Sequence, residues 1–432
     1  MQYFSLNKTA PDVDFKEAAV RGQAPDKGLY FPRRIPTVEK EIINNITNFS
    51  KEELAFRIML PYVGTAIPEK VLYQIVSETI DFPFPLVPIT ENISSLELFH
   101  GPTMAFKDVG ARFMSRCLGY FSRGQDKKVT VLVATSGDTG GAVANGFLGV
   151  EGVEVIILYP SGKVSPVQEL QLTTCGQNIT ALEVKGSFDD CQAMVKDAFM
   201  DTDLNAYYSL TSANSINVAR WLPQQLYYFF AYQQWPNQQE LPVVAVPSGN
   251  FGNICAGLLA QASGLPVKHF IAACNVNDAV PEYLRTGSYQ PKKAVATVSN
   301  AMDVGSPSNF IRVMELFHND HTDISKHLSG YTVSDAVTEQ TITGVFNRYH
   351  YVLDPHGAVA YHALADYLYT HPGMKGMILE TAHPVKFPKT VSAATGKEVT
   401  VPPEAQYLFS RKKQRIVMEP SFGGLKEWLL QR

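Results

Sequence analysis

One lysine is the first candidate for covalent chemistry. Lys107 closes the stretch at residues 100–107, HGPTMAFK, in which turn-forming residues and a phenylalanine precede a predicted helix at 109–118. An amine in an apolar, glycine-rich surround has a lowered pKa, because burial disfavours the ammonium form. A neutral lysine amine can attack a carbonyl group and form a Schiff base. The same pattern also describes a solvated lysine at a helix start, so this stretch alone leaves both interpretations open.

The loop at residues 136–140, SGDTG, is a candidate anion site. It follows a predicted strand at 129–134 and precedes a helix of small residues. The backbone N–H groups at a helix start carry a partial charge of roughly +0.5, which attracts a carboxylate or a phosphate. Glycine has no Cβ atom and lets a ligand approach the backbone closely. The loop therefore predicts an anion site, although a plain turn has the same composition.

A second loop of this kind lies at residues 248–253, SGNFGN, after a predicted strand at 243–246. Its two glycines, with hydroxyl and amide side chains, would form a cradle for a dianionic phosphate. The loop lacks the GKS or GKT ending of a P-loop, and no GxGxxG follows a strand. Ligands of open α/β sheets bind beyond the carboxyl ends of the strands, so both loops can face one crevice. A lysine, an anion site and a phosphate cradle together predict a pyridoxal-phosphate enzyme.

The elements that must position these loops alternate between strand and helix from residue 128 onward. This alternation predicts an α/β protein with right-handed crossovers and mostly parallel sheets covered by helices. A long aromatic-rich helix is predicted at 217–232. The predicted strands lie at 129–134, 153–159, 179–184, 243–246, 267–273 and, as the last one, 377–380.

The first 92 residues are predicted to form a separate N-terminal domain. Residues 28–32, GLYFP, read as a short strand that enters a turn, and residues 50–53, SKEE, form a capping box that opens a helix. Pro83, Pro85 and Pro88 make a stiff, extended connection. We therefore expect a domain boundary near residue 92, with a catalytic domain at 93–432.

The amino-acid composition and charge exclude several classes of protein. With 432 residues, 45% hydrophobic and 18% charged, the chain is long enough for two or three packed domains. A net charge of −4 without long runs of one sign argues against a nucleic-acid or membrane surface. The most apolar stretch, 241–260, is interrupted by proline, serine and asparagine and would not span a bilayer. Five cysteines without CxxC spacing, and an N-terminus without a signal-like pattern, predict a cytoplasmic location. The ten histidines show no metal-ligand spacing, so we expect no metal.

Together with residues 380–384, ETAHP, the three motifs give the chain a resemblance to a known family. The chain resembles the threonine synthases, fold-type-II pyridoxal-phosphate enzymes that act on O-phospho-L-homoserine. The resemblance covers nearly the whole chain, and residues 28–32 are similar to the family's extra N-terminal domain. It implies two α/β subdomains plus that N-terminal domain, with an inner, mobile subdomain at about 105–215. The SGxTG loop alone is shared with cysteine synthases and dehydratases.

The resemblance also implies a role for each candidate site residue. Lys107 would form the Schiff base with the cofactor and later move protons, Phe106 would pack near the cofactor ring, and Thr381 would hydrogen-bond the pyridine nitrogen. The implied holders of the cofactor phosphate are Gly249, Asn250, Phe251, Gly252 and Asn253. The implied substrate-binding residues are Ser136, Gly137, Asp138 and Thr139 at the carboxylate, and Asn214, Ser215 and Arg220 at the phosphate. Many fold-type-II relatives have asparagine at the position of Asp138, so the role of this residue is open.

The expected reaction is the conversion of O-phospho-L-homoserine and water to L-threonine and phosphate by a monomer or homodimer. One alternative is a catabolic phospho-lyase that degrades O-phosphohomoserine or O-phosphothreonine to 2-oxobutyrate, since it would use the same lysine and phosphate sites. Another alternative is a non-catalytic protein that senses a phosphorylated metabolite with the two anion loops. The organic product distinguishes the first alternative, and a lysine-bound cofactor argues against the second.

Overall fold

The computed structural model describes residues 1–124 and 127–432, and the strands of these residues form three sheets. The strands are β1 (Gln2–Ser5), β2 (Val13–Asp14), β3 (Tyr30–Pro32), β4 (Leu86–Pro88), β5 (Ile93–Glu97), β6 (Val129–Ala134), β7 (Val153–Pro160), β8 (Ile179–Val184), β9 (Ser209–Thr211), β10 (Val243–Pro247), β11 (His269–Cys274), β12 (Leu328–Thr332), β13 (Gly376–Glu380) and β14 (Ile416–Met418). The helices are α1 (Phe15–Arg21), α2 (Lys40–Asn44), α3 (Lys51–Val63), α4 (Glu69–Thr79), α5 (Lys107–Ser122), α6 (Asp138–Phe147), α7 (Pro166–Thr173), α8 (Phe188–Met200), α9 (Thr202–Tyr207), α10 (Val218–Trp221), α11 (Leu226–Gln233), α12 (Gly252–Ala262), α13 (Ala279–Thr286), α14 (Phe310–Leu316), α15 (His321–His327), α16 (Asp335–Tyr349), α17 (Pro355–Thr370), α18 (Pro388–Thr395), α19 (Pro403–Gln406) and α20 (Phe422–Leu430).

The N-terminal residues form a small antiparallel sheet with strand order β2-β1-β3, covered by helices. Helix α3 begins with the predicted capping box, in which the Ser50 hydroxyl accepts from the Glu53 N–H and the Glu53 carboxylate accepts from the Ser50 N–H. Asn217, at the start of α10, donates its side-chain amide to the Ala19 carbonyl at 2.8 Å. This buried bond ties the N-terminal layer to the segment that carries Ser215 and Arg220.

The larger sheet has the strand order β12-β11-β10-β13-β5-β4 and is parallel except for β4. Every residue of β10 and β13 is buried, which agrees with a parallel sheet covered by helices on both faces. The carboxyl ends of β10 and β13 lead directly into the 248–253 loop and Thr381. Strand β4 lies in the proline-containing connection and pairs with β5, so this sheet begins before residue 93.

The smaller sheet has the strand order β14-β8-β7-β6-β9 and is parallel throughout. The predicted strands at 129–134 and 179–184 coincide with β6 and β8. The carboxyl end of β6 leads into the 136–140 loop, and all six residues of β6 are buried. The predicted fold class, α/β with mostly parallel sheets covered by helices, is confirmed.

Two element predictions are wrong. The strand at 376–380 is not the last one, because β14 follows it and pairs with β8 in the smaller sheet. The predicted helix at 217–232 is broken, since a 3-10 turn at Leu222–Gln225 separates α10 from α11. Pro223 lies in this turn, and proline has no N–H to donate to the preceding helical turn.

Within residues 1–124 and 127–432, none of the helices combines the length and apolar character that a bilayer crossing requires.

Candidate active site

Lys107 is the first residue of α5, and the loop before it is held rigidly by buried groups. The carboxylate of Asp108 accepts from the Thr103 N–H at 2.9 Å and from the Thr103 hydroxyl at 2.5 Å. The Tyr227 hydroxyl donates to the Phe106 carbonyl. A Cβ atom on Gly101 would lie 2.5 Å from the Asp108 carboxylate, so this close approach requires glycine. These contacts fix the backbone of the loop at the start of α5 and therefore the position of Lys107.

The environment of Lys107 favours a neutral amine. Burial lowers the pKa of Lys107, and the charges of Lys386 and Arg220 lower it further, whereas Asp138 acts in the opposite direction. The net pKa is below the ordinary value of a lysine. A larger fraction of the amine is therefore unprotonated and nucleophilic than for a solvated lysine.

Thr381 follows β13 and lies directly beside the lysine loop. The Phe106 N–H donates to the Thr381 carbonyl at 2.9 Å, and the His383 N–H donates to the Met104 carbonyl at 3.1 Å. Ala105 and Ala382 form the antiparallel bridge between these bonds. The Thr381 side chain is 7% exposed, and its hydroxyl has no hydrogen-bond partner in the described part of the chain. It is free to bond a ligand that lies against Lys107.

The loop at 248–253 presents amides that have no acceptor in the described residues. Across residues 1–124 and 127–432, the N–H groups of residues 249–253 have no protein acceptor. Phe251 has a left-handed backbone (φ 62°, ψ 10°), which is rare for an aromatic residue and helps successive N–H groups converge on one point. Its buried ring packs edge-on against Phe310. A Cβ atom on Gly249 would lie 2.7 Å from the Met302 Cα, so glycine is required there. This geometry suits a phosphate.

The 136–140 loop is shaped by Thr135, which sequence reasoning missed. The Thr135 hydroxyl accepts from the N–H groups of Gly137 and Gly140 at 3.0 and 2.8 Å. In the described residues, the N–H groups of Ser136, Asp138 and Thr139 have no acceptor. They lie at or just before the start of α6, where a carboxylate would be favoured.

Asp138 is paired within the protein. Its carboxylate accepts from Lys386 at 2.7 Å and from the Gln168 side-chain amide at 2.9 Å. Burial raises the pKa of Asp138, but the charges of Lys386 and Lys107 outweigh this effect and hold it well below the ordinary value. Lys386 is absent from the sequence-based site, and only its position two residues after the ETAHP motif could have indicated it.

The segment at 214–220 joins the phosphate loop. Ser215 accepts at its hydroxyl from the side-chain amides of Asn250 and Asn309, both at 2.9 Å. Arg312, which sequence reasoning also missed, donates to the Ser215 carbonyl at 2.9 Å and lies over the Trp221 ring. The residues expected at the substrate phosphate are therefore in direct contact with those expected at the cofactor phosphate.

Arg220 is 3% exposed, and burial lowers its pKa to about 10. One guanidinium nitrogen donates to the Ala213 carbonyl, while the buried Nε has no partner in the described residues. A Cβ atom on Gly110 of α5 would lie 3.1 Å from this Nε, so Arg220 packs against the helix that Lys107 begins. The half-buried side chain of Asn214 makes no described hydrogen bond. Because buried polar groups are normally hydrogen-bonded, the Arg220 Nε is a candidate donor to an anion.

Comparisons with known proteins agree with this arrangement. A family model described as "Pyridoxal-phosphate dependent enzyme" matches residues 94–373. It is flanked by models described as "Threonine synthase N terminus" at 2–80 and "Threonine synthase, C-terminal" at 357–428. The threonine synthase of Escherichia coli K12 is 44% identical over 405 residues, covering 94% of this chain and 93% of that protein. The threonine synthase of Serratia marcescens is 43% identical, covering 100% and 99%.

Solved structures show the same relationship. The crystal structure of threonine synthase from Escherichia coli superposes with a TM-score of 0.92 at 42% identity over the whole of both chains. A structure titled as the cofactor-bound threonine synthase of Brucella melitensis has a TM-score of 0.93 at 34% identity, covering 100% of this chain and 99% of that one.

The lysine with a lowered pKa, the unpaired amides and the free Thr381 hydroxyl fit pyridoxal phosphate as cofactor. Fold and site together define a fold-type-II pyridoxal-phosphate-dependent enzyme. Within that class, the chain belongs to the threonine synthases, and it matches them along its whole length, N-terminal and C-terminal regions included.

Proposed function

We propose that this enzyme converts O-phospho-L-homoserine and water to L-threonine and phosphate at the site around Lys107. The observation that carries the proposal is the arrangement of unpaired donors around one lysine. Within residues 1–124 and 127–432, N–H groups at the starts of α6 and α12 have no protein acceptor, and neither does the Nε of Arg220, which packs against α5. A substrate with a carboxylate at one end and a phosphate at the other complements these donors.

Pyridoxal phosphate, when bound, supplies an electron sink that stabilises negative charge on the substrate carbons. Lys107 would attach it, the amides of Gly249, Asn250, Phe251, Gly252 and Asn253 would hold its phosphate, and Thr381 would bond its ring nitrogen. Phe106 would pack near its ring. A threonine hydroxyl at the ring nitrogen is neutral, so it orients the ring without requiring a protonated nitrogen.

The substrate carboxylate would bind the N–H groups of Ser136, Asp138 and Thr139, with Gly137 leaving room for it. Asn214, Ser215 and Arg220 would bind its phosphate. Ser215 suits this role because its hydroxyl accepts from two amides and keeps its own proton for donation. Asp138 contributes its backbone N–H, while its carboxylate stays with Lys386.

Lys107 would move the protons. It would take the proton from the substrate α-carbon and help remove one from the β-carbon, both of which a neutral amine can do. The C–O bond at the γ-carbon breaks and phosphate leaves. One proton returns to the γ-carbon, which becomes the methyl group. Water then adds its hydroxyl at the β-carbon, and a proton returned to the α-carbon completes L-threonine.

Product analysis tests the proposal. The purified enzyme is incubated with O-phospho-L-homoserine, and threonine, phosphate and 2-oxobutyrate are measured separately. We expect threonine and phosphate in equal amounts, no product with Lys107→Ala, and unchanged product with Lys16→Ala, a variant at an exposed lysine. If 2-oxobutyrate is the main product, the enzyme is a degradative phospho-lyase instead.

We further propose a cytoplasmic monomer or homodimer. The free state of Cys117, Cys175, Cys191, Cys255 and Cys274 supports a reducing compartment. Sedimentation of the purified enzyme at several concentrations would give its mass, and a mass above that of a dimer would contradict the proposal.

A further inference from the structure

The ion pair between Lys386 and Asp138 is a deeply buried charge pair near the candidate site. The side chain of Lys386 is 0% exposed and that of Asp138 is 5% exposed, with 2.7 Å between Nζ and Oδ1. Removing both charges from water is costly, and a well-packed apolar pair often serves stability equally well. Packing alone therefore does not explain a charge pair at this location.

The contacts around the pair hold its two charged side chains in fixed positions. Asp138 is the first residue of α6 and also accepts from Gln168 of α7, so its carboxylate is held from two sides. Lys386 reaches it from the 3-10 turn Pro384–Lys386, which follows the Thr381 segment. The pair thus links the carboxylate-binding loop to the segment that lies beside Lys107.

Both members of the pair act on Lys107. The charge of Asp138 favours a protonated Lys107, and the charge of Lys386 opposes it. The other charged or titratable groups in this region are Arg220 near Lys107, and Asp108 and His383 near Lys386. Without Lys386, the buried Asp138 would have Lys107 as its remaining lysine neighbour, and the attraction between them would be uncompensated.

We propose that Lys386 is a positioning residue that holds Asp138 and, through this ion pair, keeps Lys107 neutral enough to react. The inference rests on the proposed role of Lys107 and deepens it. Lys386 itself takes no proton from the substrate. It prevents Asp138 from forming an ion pair with Lys107, the residue that takes that proton.

The test measures the protonation of Lys107 in four variants. In the cofactor-loaded enzyme, the absorbance of the bound cofactor is titrated with pH, which reports protonation of the Schiff-base nitrogen that Lys107 would contribute. In the full chain freed of cofactor, the labelling rate of Lys107 by an amine-reactive reagent is followed against pH by peptide mapping. The variants are Lys386→Met, Lys386→Arg, the double variant Asp138→Asn with Lys386→Met, and Lys389→Met, which removes an exposed lysine three residues away.

We expect Lys386→Met to reduce the neutral fraction of Lys107 by about tenfold or more near neutral pH, since an uncompensated opposite charge shifts a pKa by about 1–3 units. Lys386→Arg and the double variant should restore most of it, and Lys389→Met should match the wild type. Circular dichroism checks folding, and the double variant keeps the test decisive if Lys386→Met is unstable, because it leaves no unpaired charge.

Wild-type titration of Lys107 in folded Lys386→Met would overturn the proposal. The proposal would also be overturned if Lys107 titrated in the double variant as it does in Lys386→Met. An enzyme that shows the expected titrations but forms no threonine would contradict the proposed function and leave this inference intact.

Discussion

At the scale of single residues, the site depends on donors that the protein leaves unpaired. The Thr381 hydroxyl, the Arg220 Nε and the amides of residues 249–253 have no protein partner in the described residues. Buried polar groups are normally hydrogen-bonded, so these unpaired donors indicate a ligand. Asp138 differs from these donors, because its Oδ1 accepts from both Lys386 and Gln168.

Thr381→Val should retain the cofactor but slow the reaction. The change removes one neutral hydrogen bond, worth about 0.5–1.5 kcal/mol, so kcat should fall by roughly 2- to 13-fold. Steady-state kinetics and the cofactor absorbance measure both effects, with Thr37→Val at an exposed threonine as the control. Unchanged kcat would remove Thr381 from the mechanism.

Arg220→Met should weaken binding of the substrate phosphate. Methionine fills about the same volume as this buried arginine side chain. A charge-assisted hydrogen bond is worth about 1.5–3 kcal/mol, which corresponds to roughly a 10- to 150-fold loss in kcat/KM. Part of the loss should appear in kcat, because the leaving phosphate gains charge. Arg220→Lys should recover activity only partly.

The control for Arg220 is Arg34→Met, at an exposed arginine. Kinetics beside an absorbance spectrum separate the two phosphate sites. Wild-type kinetics would refute the assignment, and loss of the cofactor absorbance would show that Arg220 holds the cofactor instead, which its packing against α5 also permits.

At the scale of elements, the C-terminal segment completes the smaller sheet. Strand β14 adds to β8, and α20 buries Leu425 and Leu429 in the same cluster as Leu132 and Ile156. Ion pairs such as Lys426–Asp201, at 2.8 Å, lie nearer the surface and contribute little each. The apolar contacts of α20 and the pairing of β14 with β8 therefore hold this segment in place.

Two neighbouring leucines test this conclusion. Leu429 is 0% exposed and Leu430 is 45% exposed. Leu429→Ala should destabilise the docked segment by about 2–5 kcal/mol and make residues after 401 sensitive to protease. Leu430→Ala should change stability by about 0.5 kcal/mol or less. Equal protease sensitivity of the two variants would contradict the docking role of α20.

At the scale of the whole molecule, two sheets carry different parts of the site. The 136–140 loop extends from the smaller sheet, whereas the 249–253 loop and Thr381 extend from the larger one. A substrate that contacts both would draw them together. Closure around a substrate excludes water from reactive groups.

Closure of an inner subdomain at about 105–215 stays a prediction. Small-angle scattering of the enzyme with and without a non-reactive phosphonate analogue of the substrate should show a smaller radius of gyration with the analogue. Lys107→Ala provides the control, because it should bind the cofactor weakly and compact less. The same radius in all samples would count against the hinge.

Global stability should also depend on pH through Glu380. Burial raises the pKa of Glu380, the nearby Asp354 raises it further, and the Asp354 N–H donates to it at 2.6 Å. Because the folded pKa exceeds the unfolded one, the contribution of Glu380 to stability is fully present below the unfolded pKa of about 4.3. It is lost as pH rises towards the folded pKa.

Glu380→Gln mimics the protonated side chain and should escape this loss. The difference in Tm between the variant and the wild type should therefore become more positive from pH 4 to pH 8. Glu339→Gln, at an exposed position on α16, is the control. A difference that does not change with pH would show that Glu380 does not titrate in this range.

The sequence by itself determined the alternating α/β order and pointed to Lys107 and the two glycine-containing loops as candidate site residues. These features depend on local chemistry, namely glycines that allow close approach, caps that start helices and β-branched runs that form strands. Only the tertiary structure decided the pairing of Lys386 with Asp138, the contact of Ser215 with Asn250, and the addition of β14 to the smaller sheet. The first two pairs are separated by 248 and 35 residues of chain. Which distant side chains meet depends on how the sheets and helices pack, and no local pattern records that.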